Sequence, residues 1–135
     1  MTKQEAYEKI GKLDAKRILR IHDISTKYGK THSQGVRDQA TLEMIANTLN
    51  RMVNKQEKPE RIAARISELI TKYHPFWDGN HRTAFEVAQF IMTMFDFKIE
   101  VDESEATQFM RDIDTKNLST SVIENWIKRR IKSRG

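Results

Sequence analysis

Nine consecutive residues, His74-Pro75-Phe76-Trp77-Asp78-Gly79-Asn80-His81-Arg82, bring a base, a carboxylate, a cation and a turn together. Imidazole titrates near neutral pH, which suits His74 to take a proton from an attacking hydroxyl. Asp78 offers the oxygen that magnesium prefers, since that ion takes one or two protein carboxylates and fills its other positions with phosphate oxygens and water. Gly79 can adopt backbone angles that turn successive N–H groups toward an anion, and Asn80 tolerates the left-handed conformation better than most residues. Arg82 adds a permanent planar cation that matches phosphate oxygens. Phe76 is the odd member and is expected to be a buried anchor that fixes the loop.

Each piece has a plainer use. Asp78-Gly79-Asn80 alone is an ordinary turn, and a lone His74 suits the negative end of a helix dipole. Trp77 and Phe85 are expected in the core or at its rim. The conjunction of base, metal ligand and phosphate cradle in nine residues is what argues for a site.

Such a loop needs rigid elements on both sides, and apolar residues recur at helical spacing along nearly the whole chain. Thr2 with Glu5 forms a capping-box pattern ahead of Tyr7 and Ile10. Asp14 is placed to cap a helix carrying Ile18, Ile21 and Tyr28 that stops at Gly29. Asp38 precedes an amphipathic helix with Leu42, Ile45, Ala46, Leu49, Met52 and Val53 on one face. Pro59 opens the helix that leads into His74, with Ile62, Ala63, Ile66, Leu69, Ile70 and Tyr73. After the loop, Thr83 to Phe95 is apolar on most sides and belongs in the middle of the domain. Asp102 with Glu105 starts a further helix, and Ser119 starts a last one bearing Val122, Ile123, Trp126, Ile127 and Ile131. No segment alternates long enough to argue a half-buried strand, so the expected fold is all-α. Residues 29–38, with two glycines and no apolar periodicity, read as an exposed loop or small hairpin.

The nine-residue run resembles the signature of the Fic/Doc family, commonly written H-x-F-x-[DE]-[GA]-N-[GK]-R, and Thr83-Ala84-Phe85 continue it. A helix ending in HDISTKYG and a GVRD element before the Leu42 helix are similar to the death-on-curing branch of that family. The resemblance covers most of residues 13–132, leaving residues 1–12 as an extra N-terminal segment and 133–135 as a tail of one single domain. It implies a compact helical domain, ATP as substrate, Mg2+, and transfer to a Ser, Thr or Tyr hydroxyl of another protein. On that basis His74 matches the general base, Asp78 the magnesium ligand, Arg82 a phosphate ligand, and Gly79, Asn80 and His81 the anion nest. A flap that aligns the target segment falls at Gly35, Val36, Arg37 and Asp38.

Two positions depart from the family pattern. His81 stands where AMP transferases usually have Gly and the death-on-curing branch has Lys. Phe85 stands where AMP transferases carry a second arginine, which points toward phosphoryl transfer, whereas Gly79 is more usual among AMP transferases. Thr120 to Asn125 (TSVIEN) fit the inhibitory pattern [ST]-x-x-x-E-[GN] of many family members. Val122, Ile123 and Trp126 already commit that segment to the core, so the resemblance implies a separate antitoxin chain and a toxin-antitoxin pair. A catalytically idle nucleotide-binding module is the competing class.

Length and composition set the remaining bounds. The 135 residues fit one ordinary domain, and 32% charged against 38% hydrophobic residues describes a folded chain without a membrane span. Zero cysteines exclude disulfides and thiolate chemistry. No secretory pattern opens the chain, and cytoplasmic residence is expected. A net charge of +5 raises the odds of an acidic partner, but Lys128, Arg129, Arg130, Lys132 and Arg134 read first as a solvated helix end, so nucleic acid ranks last among partners. The spacing H-E-x-x-H is absent and His22, His32, His74 and His81 are not expected to cluster as zinc ligands. The loop G-x-x-x-x-G-K-[ST] is absent too, so a nucleotide would rest on residues 74–82.

Overall fold

The computed structural model describes residues 1–26 and 35–134. Among these, seven helices and one two-stranded ribbon follow in order: α1 (Lys3–Gly11), α2 (Ala15–Ser25), α3 (Gln39–Asn54), α4 (Pro59–Tyr73), α5 (Asn80–Met94), β1 (Phe97–Ile99), α6 (Glu103–Thr115), α7 (Thr120–Arg130) and β2 (Ile131–Ser133). The local signals for helix starts act as expected. Thr2 and Glu5 exchange a reciprocal capping box, and the side chains of Asp14, Asp38, Asp102 and Ser119 accept from the third residue beyond each. Pro59 occupies the first turn of α4, where its missing N–H costs nothing. α2 closes at Ser25, ahead of the expected stop, and Tyr28 and Gly29 lie outside the described residues.

α4 and α5 form the centre of the domain. Ile62, Ala63, Ala64, Ile66, Leu69 and Ile70 of α4 are buried, as are Ala84, Val87, Ala88, Ile91 and Met92 of α5. α3, α6 and α7 pack against α4, while α1 and α2 pack against both α3 and α5. Tyr7 closes the α1 side, its ring edge-on to Phe95 and its hydroxyl donating to the Glu57 carbonyl at 2.6 Å. Burial works against charge on Glu68. Lys72, Thr120 and Arg65 all donate to it, outweigh that penalty and hold its carboxyl below the usual range. Lys72 also donates to the Leu118 carbonyl at 2.7 Å, so this network ties α4 to the turn between α6 and α7.

Three expectations need correction. β1 and β2 pair antiparallel with Ile99 opposite Ile131, so Ile131 is a strand residue and not the end of the last helix. Three residues per strand are too few to show alternation, and the pairing joins segments far apart in sequence. The outer edge of β1 is closed by Gln89, whose amide both donates to the Ile99 carbonyl and accepts its N–H, leaving that strand no free edge there. Trp77 is 59% exposed and Val122 47% exposed, although periodicity and size suggested packing for both. Only Ile123, Trp126 and Ile127 of that helix face the core, with Phe109 stacked on Trp126 at 4.1 Å.

Candidate active site

α4 ends at His74 because that residue takes the left-handed conformation, φ 48° and ψ 67°, while its N–H still donates to the Ile70 carbonyl. A non-glycine residue in that region is strained and is held there by its surroundings. Arg37 is the restraint. Its Nε donates to the His74 carbonyl at 2.7 Å and its Nη2 to the Tyr73 carbonyl at 2.8 Å, which satisfies two orphan acceptors at the helix end. The backbone N–H groups of Arg37 and Asp38 both donate to the Pro75 carbonyl, and Val36 forms an antiparallel bridge with Phe76. Gly35 sits at φ 87° where this segment turns in. The described part of the expected flap, residues 35–38, is therefore bonded to the loop itself.

The inner side of the loop is locked from below. Phe76 is fully buried and stacks on the His22 ring with centroids 4.0 Å apart. The Asn80 side chain accepts from the Phe76 N–H and donates to its carbonyl, so it clamps the turn instead of facing a ligand. His22 Nε2 donates to the Asp78 carbonyl at 2.9 Å. Gly79 has φ 75°, and a Cβ there would lie 2.5 Å from Thr26 Cγ2 and 3.3 Å from His22 Nε2. Only glycine satisfies both the angle and the space.

The outer side is left incomplete. Gly79 caps α5 without any side-chain bond, so among the described residues nothing caps the first-turn N–H groups of Asn80, His81 and Arg82, which can face an anion. Among the described residues, Asp78 Oδ1 and His81 Nε2 are buried and have no hydrogen-bond partner. His74 Nε2 lies 3.0 Å from Asp114 Oδ2, which orients the imidazole as a carboxylate orients a catalytic base. His81 Nε2 is 3.7 Å from the same oxygen, too long for a hydrogen bond. Burial holds the His81 imidazole below its ordinary pKa, with the opposing pull of Asp114 not enough to offset it. Arg82 donates to Glu103 at 2.6 Å and approaches Glu86 at 3.8 Å. Beside it, a cleft of about 230 Å3 is lined by His81, Arg82, Phe85, Val101, Glu103 and Ala106, among others.

The loop residues singled out from sequence thus come together, but three partners were not foreseen. Asp114 joins from α6, forty residues downstream of His74, with no local signal. Glu103, in the first turn of α6, occupies the expected phosphate ligand. His22 was legible in part, because it shares the buried face of α2 with Ala15 and Ile18, and a titratable group on an apolar face needs a partner. The expectation that the histidines stay apart is corrected for one pair: His74 and His81 lie with ring centroids 6.2 Å apart around Asp114. A seven-residue gap hides this, because the left-handed turn at His74 folds the chain back on itself.

Fold and site define the class first: an all-helical domain whose polar chemistry sits at the junction of its two central helices. Residues 3–92 match the Fic/DOC family, and the chain belongs to that family, which generally includes transferases. No curated protein matches the chain. Among the described residues no helix is long and apolar enough to cross a membrane.

Proposed function

We propose that the protein is an ATP-dependent transferase that modifies a Ser, Thr or Tyr hydroxyl of another protein. The observation that carries this reading is the pair of demands on the outer side of the loop that the described residues leave unmet: a helix N-terminus with no side-chain cap and, two residues earlier, a buried Asp78 oxygen with no partner among them. A triphosphate with its magnesium satisfies both. Asp78 fits as the Mg2+ ligand, because an orphaned buried carboxylate oxygen is otherwise costly. Mg2+ held there would neutralise phosphate charge.

The residues of the chain then have separate tasks. His74, oriented by Asp114, takes the proton of the target hydroxyl; the hydroxyl oxygen bonds to a phosphorus of ATP as a phosphoanhydride bond breaks. Attack at the γ-phosphorus releases ADP, and attack at the α-phosphorus releases pyrophosphate. The first-turn N–H groups of α5 hold phosphate oxygens, and Arg82 joins them by exchanging Glu103 for the ligand. Phe85, which brings no second cation to the cleft, favours phosphoryl transfer of the death-on-curing kind. Gly79 supports AMP transfer as the second reading.

A toxin role with a separate antitoxin chain accompanies this reading. Glu124, the glutamate of the TSVIEN pattern, pairs with Arg61 and Lys128. Arg61 lies near the start of α4, about 20 Å from His74 along the helix at about 1.5 Å per residue. That glutamate is therefore engaged far from the loop. Of the five basic residues near the C-terminus, Lys128, Arg130 and Lys132 are paired with Glu124, Glu105 and Glu100, which favours a solvated helix end over a nucleic-acid surface.

The test is label transfer to lysate proteins with magnesium and ATP carrying the label at the α- or the γ-phosphorus. Transfer from γ alone is expected, and His74→Ala should slow it about 100- to 10,000-fold, about 2.7–5.4 kcal/mol of barrier. Transfer from α would establish AMP transfer instead. ATP binding without transfer from either position would identify an idle nucleotide-binding module.

A further inference from the structure

The outer side of the loop holds a second set of donors of a different chemical kind. His74, His81 and Asp114 each offer one ligand atom, and these atoms all lie within 4.8 Å of one another. We propose that these three residues bind a single divalent transition-metal ion of the zinc class, and that an ion there takes the lone pair His74 would use as a base. The second half rests on the reading of His74 given above.

Geometry and donor type carry the proposal. Tetrahedral zinc with bonds of about 2.0–2.2 Å has ligand atoms about 3.3–3.6 Å apart. Asp114 Oδ2 already stands 3.0 Å from His74 Nε2 and 3.7 Å from His81 Nε2. The two imidazole donor atoms, at most 4.8 Å apart, need to close by no more than about 1.2–1.5 Å, and Asp114 needs to open from His74 by about 0.3–0.6 Å. His81 Nε2 supplies an independent sign, being buried without a hydrogen-bond partner among the described residues. The His74 and Asp114 side chains are 42% and 31% exposed, which leaves an ion a path from solvent on their side.

Two imidazoles and one carboxylate select zinc, cobalt, nickel or copper over magnesium, whereas the lone carboxylate of Asp78 suits magnesium. Two sites that share this loop would therefore sort ions by hardness. A neutral imidazole has one lone pair. If His74 donates its Nε2 proton to Asp114, binding at Nε2 moves that proton to Nδ1, and the ring can no longer accept one from a hydroxyl.

The experiment titrates the whole chain with Co2+ as the probe, in excess Mg2+ and without ATP. Visible d–d absorption saturating at one equivalent is expected. Two-bond 1H–15N spectra should show ring-nitrogen shifts at His74 and His81 and at no other histidine. His81→Gln and Asp114→Asn, each first checked for an unchanged unfolding midpoint, should weaken binding 10-fold or more. Cobalt absorption that is absent, or that survives both variants unchanged, overturns the site. In a parallel arm, zinc should suppress label transfer by the wild type and a chelator restore it. Cobalt bound through both rings with transfer insensitive to zinc keeps the site and removes His74 as the base, while zinc-insensitive transfer with no cobalt bound removes the site alone.

Discussion

The two sides of the loop 74–82 are built to opposite specifications. On the inner side, Phe76, Asn80, Gly79 and the Asp78 carbonyl are buried or bonded, with His22 stacked beneath and Thr26 filling the space a Cβ would need. On the outer side, Asp78 Oδ1, His81 Nε2 and the first turn of α5 lack partners among the described residues, and Arg82 is held by a half-exposed ion pair. The same nine residues thus separate into a satisfied base and an unsatisfied face. Polar groups left unmet are costly, and the inner packing is what keeps the loop from relaxing to meet them.

Variants on each side should fail in different measurements. The largest change expected is in rate, for His74→Ala, with the unfolding midpoint little altered because that ring is partly exposed. Phe76→Ala should do the reverse and lose about 3–5 kcal/mol in denaturant unfolding, since it empties a fully buried site stacked on His22. If Phe76→Ala kept wild-type stability, the inner side would not be the anchor. Gly79→Ala should cost about 1–3 kcal/mol for the positive φ alone, and the contact with Thr26 adds to it; equal stability in chemical unfolding would show that the turn relaxes freely. Smallest of all, Glu103→Gln should release Arg82 and tighten ATP binding by about 0.2–1 kcal/mol, the range for an exposed ion pair, measured by calorimetry at low salt. Weaker binding there would mean that Glu103 positions Arg82 for phosphate and does not compete with it.

Helix starts and the loop could be read in the sequence because their causes are local. Asp38 and Asp102 cap within three residues of themselves, and Pro59 acts on its own turn. Phe76 could be assigned to the interior because an aromatic among polar loop residues has few other uses. The ribbon of β1 and β2 could not be read, since Ile131 follows helical periodicity until its pairing with Ile99 decides otherwise. Trp77 and Val122 have core chemistry but point outward, which only the packing of their neighbours settles. Asp114 and Glu103 were invisible for the same reason. Each is an ordinary helix-surface acid until α6 is laid across the start of α5.

Arg37 binds the carbonyls at the end of α4 through its side chain and the Pro75 carbonyl through its backbone. The flap and the base accordingly share one fastening. A scan that replaces flap residues to map where a target lies would, at this position, also loosen the turn that presents His74. Lost activity there carries two meanings, as it does at Asp38, which caps α3 and donates its N–H to the same Pro75 carbonyl.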